Sequence, residues 1–180
     1  MEGMRIMANN ELRVFVARKN EDVGLYINVV TYAVNFLDVG NIKFIKLEHN
    51  DTLEDFDIEN YVRNDINDKL RSLAKANPDY YQKAFDVFSN SGDKELTWDY
   101  LLIKREIKKS SSGNVFYDLT SLPKAVCLDI FVKLISCDVE NIINFERLNT
   151  GASKTSLDEL NRSEYRVVRC RTALSFSLII

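Results

Sequence analysis

The chain has 180 residues, 46% of them hydrophobic and 28% charged, with a net charge of −3 and a pI near 5.3. It is long enough for one domain with a real core, and its acidic balance argues against a surface that coats DNA or RNA, while leaving room for a local basic pocket. A single histidine and three widely spaced cysteines (Cys127, Cys137 and Cys170, with no CxxC pair) argue against a zinc site, and no stretch reads as a signal peptide or membrane span, so the cytoplasm is the expected compartment.

Residues 1–10 read as a disordered start, and 11–180 as a single domain. Leu12 to Ala17 is a strand by its β-branched and aromatic content, followed by the polar loop Arg18-Lys19-Asn20-Glu21-Asp22. Val23, Tyr26, Ile27, Val30, Val34 and Leu37 recur at helical spacing, with Gly40-Asn41 as the expected stop. Ile42 to Leu47, IKFIKL, alternates and predicts a second strand. An acidic connection over 50–56 leads to a helix from Ile58 to Leu73, broken by Asn77-Pro78, and a further helix from Asp79 to Phe88 with Tyr81, Phe85 and Phe88 on one side. Ser89 to Asp93 is an expected loop. Thr97 to Lys108 reads as a helix with Trp98, Leu101, Leu102 and Arg105 on one face, a strand being the alternative.

The most informative segment is Gly113 to Leu134, GNVFYDLTSLPKAVCLDIFVKL. A short apolar strand ends at Asp118, a Thr-Ser pair follows, and Pro123 and Lys124 open an apolar helix to Ile135. A helix start beyond a strand end presents backbone N–H groups to an anion, and a lysine there adds charge. Glu140 to Leu148 and Tyr165 to Ile180 complete the strands, with a polar loop between. Strands alternating with helices predict an α/β, Rossmann-like fold, a mostly parallel sheet with helices on both faces and a C-terminal antiparallel edge hairpin.

In a doubly wound sheet the strands 12–17 and 114–118 lie side by side, and ligands bind beyond their C-terminal ends. Arg18, Lys19, Asn20, Thr120, Ser121 and Lys124 would then form a small cationic, hydrogen-bonding pocket, with Asp118 accepting loop N–H bonds or a ribose hydroxyl. Each has a plainer alternative: Lys124 as an ordinary solvated lysine, Thr120 or Ser121 as a helix N-cap, Arg18 and Lys19 as partners of Glu21 and Asp22. Cys127 reads as a buried thiol, Trp98 as core or interface, and His49 as a solvated residue in an acidic stretch.

Asp118-Leu119-Thr120-Ser121-Leu122-Pro123-Lys124 resembles the motif of CARF domains, the CRISPR-associated Rossmann-like sensors of cyclic oligoadenylates: Asp or Asn, any residue, Ser or Thr, three residues, then Lys or Arg. The first strand and helix, RVFVARKNEDVGLYINVVTYAVNFLDVG, also resemble the family's start. Leu122-Pro123 stands where many members have small residues, which implies a narrower pocket or a different ligand. The chain shows no RxxxxH nuclease pattern and no helix-turn-helix, and its apolar end, Leu174 to Ile180, suits a buried strand or a junction with another domain.

The resemblance implies a homodimer that senses a cyclic oligonucleotide or related nucleotide in antiviral defence, with an effector domain or subunit, no cofactor and no metal. Its enzymatic alternative is a metal-independent ring nuclease that cleaves cyclic oligoadenylate, with Lys124 and Thr120 or Ser121 stabilising charge on phosphate. A nucleoside- or NAD-cleaving fold would need a pocket glutamate, for which Glu21 is the candidate. A protein-interaction domain without ligand, with the acidic helices of 51–73 as partner face, is the remaining reading.

Overall fold

Why the sheet forms where it does is clearest from the burial of its strands. In a computed structural model the described residues are 10–16, 23–48, 62–91, 96–110, 114–147 and 165–170, with backbone alone for 145–147 and 165–170. β1 (Asn10–Val16) is buried along almost its whole length, as expected of a central parallel strand covered on both faces. It is flanked by β2 (Val39–Glu48) and β4 (Val115–Asp118), both parallel to it. β3 (Leu96–Asp99) extends one side and β5 (Ile142–Arg147) the other, again in parallel. β6 (Tyr165–Cys170) closes the sheet as an antiparallel edge on β5, giving the order β3-β2-β1-β4-β5-β6. The chain is thus a doubly wound α/β fold whose direction of winding reverses between β1 and β4.

Two cores flank the sheet. On one face α1 (Val23–Phe36), α2 (Asn64–Ala76) and α3 (Pro78–Asn90) cover Leu12, Val14, Ile42, Phe44, Phe116 and Ile143. On the other, α4 (Ile103–Lys109) and α5 (Lys124–Ile135) cover Phe15, Ile45, Trp98, Tyr117 and Ile142. The alternation along each strand, Val14 to one side and Phe15 to the other, follows from the period of two. α1 is rich in Val, Ile, Tyr and Thr, which are poor helix formers. Its helix is held by tertiary burial, since Tyr26, Ile27, Val29, Val30, Ala33 and Val34 are all in the core.

Several boundaries differ from the sequence expectation. Asn10 belongs to β1, not to a frayed start. α1 stops at Phe36 because Asp38 turns the chain through φ 54°, and Gly40-Asn41 lie inside β2. Aspartate tolerates that left-handed conformation, so it takes the place a glycine usually holds. Asp138 does the same after α5, at φ 59°. α3 continues through Ser89 to Asn90. Pro78 sits in the first turn of α3, and Asn77 before it is extended at φ −144°, ψ 80°, as a residue preceding proline prefers.

The largest correction concerns 96–109. Leu96 to Asp99 is a strand, followed by a 3₁₀ turn over Tyr100–Leu102 and then α4. Trp98 is buried, as expected of a core residue, but Leu101, Leu102 and Arg105 are exposed and share no buried face with it. The Asp99 carboxylate accepts from the Leu101 N–H at 2.8 Å, which caps the turn and separates strand from helix. Pairing of Ile45 with Leu96 and of Leu47 with Trp98 supplies the strand's energy, which local sequence does not reveal.

A charge network pins the register of β1. Arg13 lies opposite Lys43 and Tyr117, a pairing of like charges with Lys43 that Glu11 relieves. Glu11 accepts from Arg13 Nε at 2.6 Å, from Lys43 Nζ at 2.7 Å and from Asn41 Nδ2 at 3.0 Å. The Arg13 guanidinium also lies over the Trp98 and Tyr117 rings, 5.8 and 5.7 Å from their centroids, and donates to the Tyr117 hydroxyl at 3.2 Å. Burial by itself would raise the Glu11 carboxyl, but the bonds and charges of Lys43 and Arg13 together hold it below its usual range.

Candidate functional site

β1 and β4 run side by side, Val14 opposite Asp118, so the chain leaves both strands at the same edge of the sheet and at the point where winding reverses. That is the crevice where open α/β sheets receive ligands. After β4 the backbone turns tightly: the Leu119 N–H donates to the Ile143 carbonyl at 3.0 Å, and the Leu122 N–H to the Leu119 carbonyl at 3.1 Å. Leu119 and Leu122 are buried and anchor the loop in the second core.

Asp118 is fully buried. Its Oδ1 accepts from the Thr120 hydroxyl at 2.5 Å and, at a long 3.4 Å, from the Thr120 N–H. It therefore organises its own loop. Ser121 is also buried, and its hydroxyl donates to the Phe15 carbonyl, tying this loop to the end of β1. Neither Thr120 nor Ser121 caps α5. The cap position is Pro123, at φ −55° and ψ 143°, which has no side chain able to accept. The first intrahelical bond runs from the Cys127 N–H to the Pro123 carbonyl at 2.8 Å. The first-turn N–H groups have no acceptor within the helix and receive none from the cap residue's side chain.

Lys124 opens α5 and is exposed, with no hydrogen bond or ion pair among the described residues. A lysine at this end gains nothing from its own helix dipole, which is positive there. Arg18, Lys19 and Asn20 lie outside the described residues, as do Glu21 and His49. The structure thus brings Asp118, Thr120, Ser121 and Lys124 into one loop at the switch point, two of them buried as its scaffold and Lys124 displayed.

Cys127, one turn into α5, is half-buried and free. Burial, and secondarily the nearby Asp118 charge, push its thiol up, which makes it a poor nucleophile. Among the described residues no group of three or more His, Cys, Asp and Glu is placed to hold a metal, and no helix is long and apolar enough to cross a membrane.

Sequence reading missed a second tie on the same helix. The Tyr100 hydroxyl donates to Asp129 at 2.5 Å, Lys133 donates to the same carboxylate at 2.6 Å, and the Lys133 ammonium lies 4.1 Å from the Tyr100 ring centroid. The carboxylate bond, and secondarily burial, push the Tyr100 hydroxyl up to about 12, while Lys133 and Tyr100 hold Asp129 below its usual range. The Asp129–Lys133 spacing of four was legible as a helix pair; its link to Tyr100 depends on the strand at 96–99.

No family model matches the chain, and no curated protein matches it. Among solved structures, Enterococcus italicus Csm6 bound to cyclic hexa-2'-fluoro-hexa-dAMP is similar at a TM-score of 0.48 and 10% identity, over 94% of this chain and 44% of that one. The chain spans less than half the length of that protein.

Proposed function

We propose that this domain senses an anionic nucleotide second messenger, a cyclic oligonucleotide, in an antiviral defence pathway. The observation that carries the reading is the uncapped start of α5 with Lys124 at the β1–β4 switch point. Free N–H groups and a displayed cation suit a phosphate. The motif Asp118-x-Thr120-x-x-x-Lys124 and the doubly wound order agree with a CARF-type domain. In this reading Lys124 contacts the ligand together with Arg18, Lys19 and Asn20 of the preceding loop, while Asp118, Thr120 and Ser121 hold the loop in shape.

A homodimer belongs to the same proposal. Leu128 and Val132 are exposed on α5, one and two turns beyond Lys124 and on its face of the helix. A second copy pairing along this stripe would cover them and bring two Lys124 side chains to one symmetric ligand. Ligand binding would then bias the arrangement of the pair and so an effector.

Binding without turnover is favoured over ring cleavage because the groups nearest the loop are already committed. The Ser121 hydroxyl donates to Phe15, the Thr120 hydroxyl to Asp118, and the Cys127 thiol is held protonated. The test is a thermal-shift panel of cyclic di-, tri-, tetra- and hexanucleotides, in which the true ligand, held about a hundredfold above its Kd, stabilises the fold by roughly 3 kcal/mol. Incubation with the binder and a chelator should return it intact. Linear product would establish the ring-nuclease reading, and a panel without any shift would remove the sensor.

A further inference from the structure

A groove of about 570 Å³ opens at the opposite edge of the sheet, where β1, β4 and β5 begin and α1 ends. Its size suits a small ligand. Its walls carry Asn10, Asn114 and Asn141, the carboxylates Asp38 and Glu140, and the ring of Phe36. We infer that this groove binds an alkylguanidinium group.

Three features select that chemistry. The first is sign. Helices in this fold run against the strands, so α1 presents its C-terminal, partially negative end here beside Asp38 and Glu140. The protein's own Lys83 already responds to that field: its ammonium reaches the Val34 carbonyl at 3.2 Å and Asp38 at a long 3.4 Å. Glu140 is exposed and forms no ion pair among the described residues.

The second is the abundance of acceptors. Three carboxamides and two carboxylates line the groove. Asn10 donates its Nδ2 hydrogen to the Leu37 carbonyl at 2.7 Å, which orients the amide, while its Oδ1 is itself buried and has no donor among the described residues. A guanidinium carries five N–H donors in a fixed plane and no acceptor, so it matches such a set better than a compact ammonium.

The third is Phe36. It is 63% exposed at the end of α1 and lines the groove, with its ring also packed on that of Tyr32 at 5.3 Å between centroids. An exposed aromatic face beside carboxylates is a stacking surface for a planar cation. The doubly wound sheet would thereby take an anion at the ends of its strands and a cation at their beginnings, two sites that do not share a residue.

Agmatine and N-acetyl-arginine amide present the group as a free small molecule and in a peptide-like frame. Isothermal titration of the full chain with each should give saturable binding of at least one. Binding of agmatine points to a free guanidinium compound, and binding of the amide alone to an arginine presented by a protein. Asp38→Asn combined with Glu140→Gln should weaken binding at least about tenfold, and Phe36→Ala should weaken it by several-fold. Asparagine accepts the φ of 54° at position 38, and Phe36 is exposed, so both variants should keep the far-UV spectrum and Tm of the parent. Saturation by neither compound, or an affinity unchanged in either variant, overturns the assignment. Because the groove lies away from Lys124, its failure would leave the nucleotide reading standing.

Discussion

The hydroxyl of Ser121, in the loop after β4, donates to the backbone carbonyl of Phe15 near the end of β1, across 106 residues of chain. This bond ties the loop that leads into α5 to the end of β1. It explains why a serine is needed where the sequence suggests a ligand contact or a cap. Phe15 is itself fixed by Trp98 edge-on at 5.8 Å and by Tyr117 stacked at 6.2 Å, so the loop is referenced to the centre of the second core.

Ser121→Ala should therefore cost about 1–2 kcal/mol of stability, the usual effect of leaving a buried carbonyl without its donor. Urea unfolding measures it. Nucleotide affinity should also fall, because the loop that positions Lys124 loses its anchor. A variant as stable as the parent would mean that the bond contributes nothing to the loop.

Glu11→Gln should destabilise by roughly 2–3 kcal/mol, since it leaves Arg13 buried beside Lys43 without the carboxylate that offsets both. The pH dependence follows from the direction of the shift. A carboxyl held low in the folded state contributes fully above its ordinary 4.5, and that contribution is lost as pH falls through the lowered folded value. Chemical denaturation from neutral pH into the acid range should show the parent losing more stability than Glu11→Gln. Parallel curves would show that the carboxylate contributes no pH-dependent stability.

Tyr100 provides a spectroscopic check on the turn after β3. Its hydroxyl should ionise near 12 in the folded chain, and Asp129→Asn should bring that transition down toward the ordinary 10. The stability contributed is complete below 10 and is lost as pH rises through about 12. Ultraviolet titration of phenolate absorbance, with Tyr100→Phe to identify the transition, measures it. A Tyr100 that titrates at 10 in both proteins contradicts the tie to α5.

The fold was legible wherever burial leaves a period in the chain. The adjacent parallel strands ending near Ala17 and Asp118, the helices covering both faces and the antiparallel edge all follow from the pattern, and the structure has them. What escaped depends on contacts made by other parts of the chain. Trp98 pairs in a strand because Leu47 is opposite it, and nothing within 96–109 announces that partner. Asp38 ends α1 with a left-handed turn, so the glycine at position 40 misplaces the boundary. At the site, the Asp118–Lys124 spacing picks out one loop beyond the end of β4, but composition cannot tell a hydroxyl that binds ligand from one bound to its neighbour. The Ser121 hydroxyl is bonded to the Phe15 carbonyl, while Lys124 is exposed.

The most direct test of the central claim is the change in nucleotide affinity on Lys124→Glu. The variant replaces a displayed cation at the start of α5 with a repulsive charge and touches no core residue. Isothermal titration with the tightest-binding cyclic oligonucleotide should show a loss of at least about 1.5 kcal/mol, roughly tenfold or more, with the Tm of the unliganded protein no lower than the parent's. Equal affinity in parent and variant would contradict the account: Lys124 would be an ordinary surface lysine and the switch-point loop would not be the binding site.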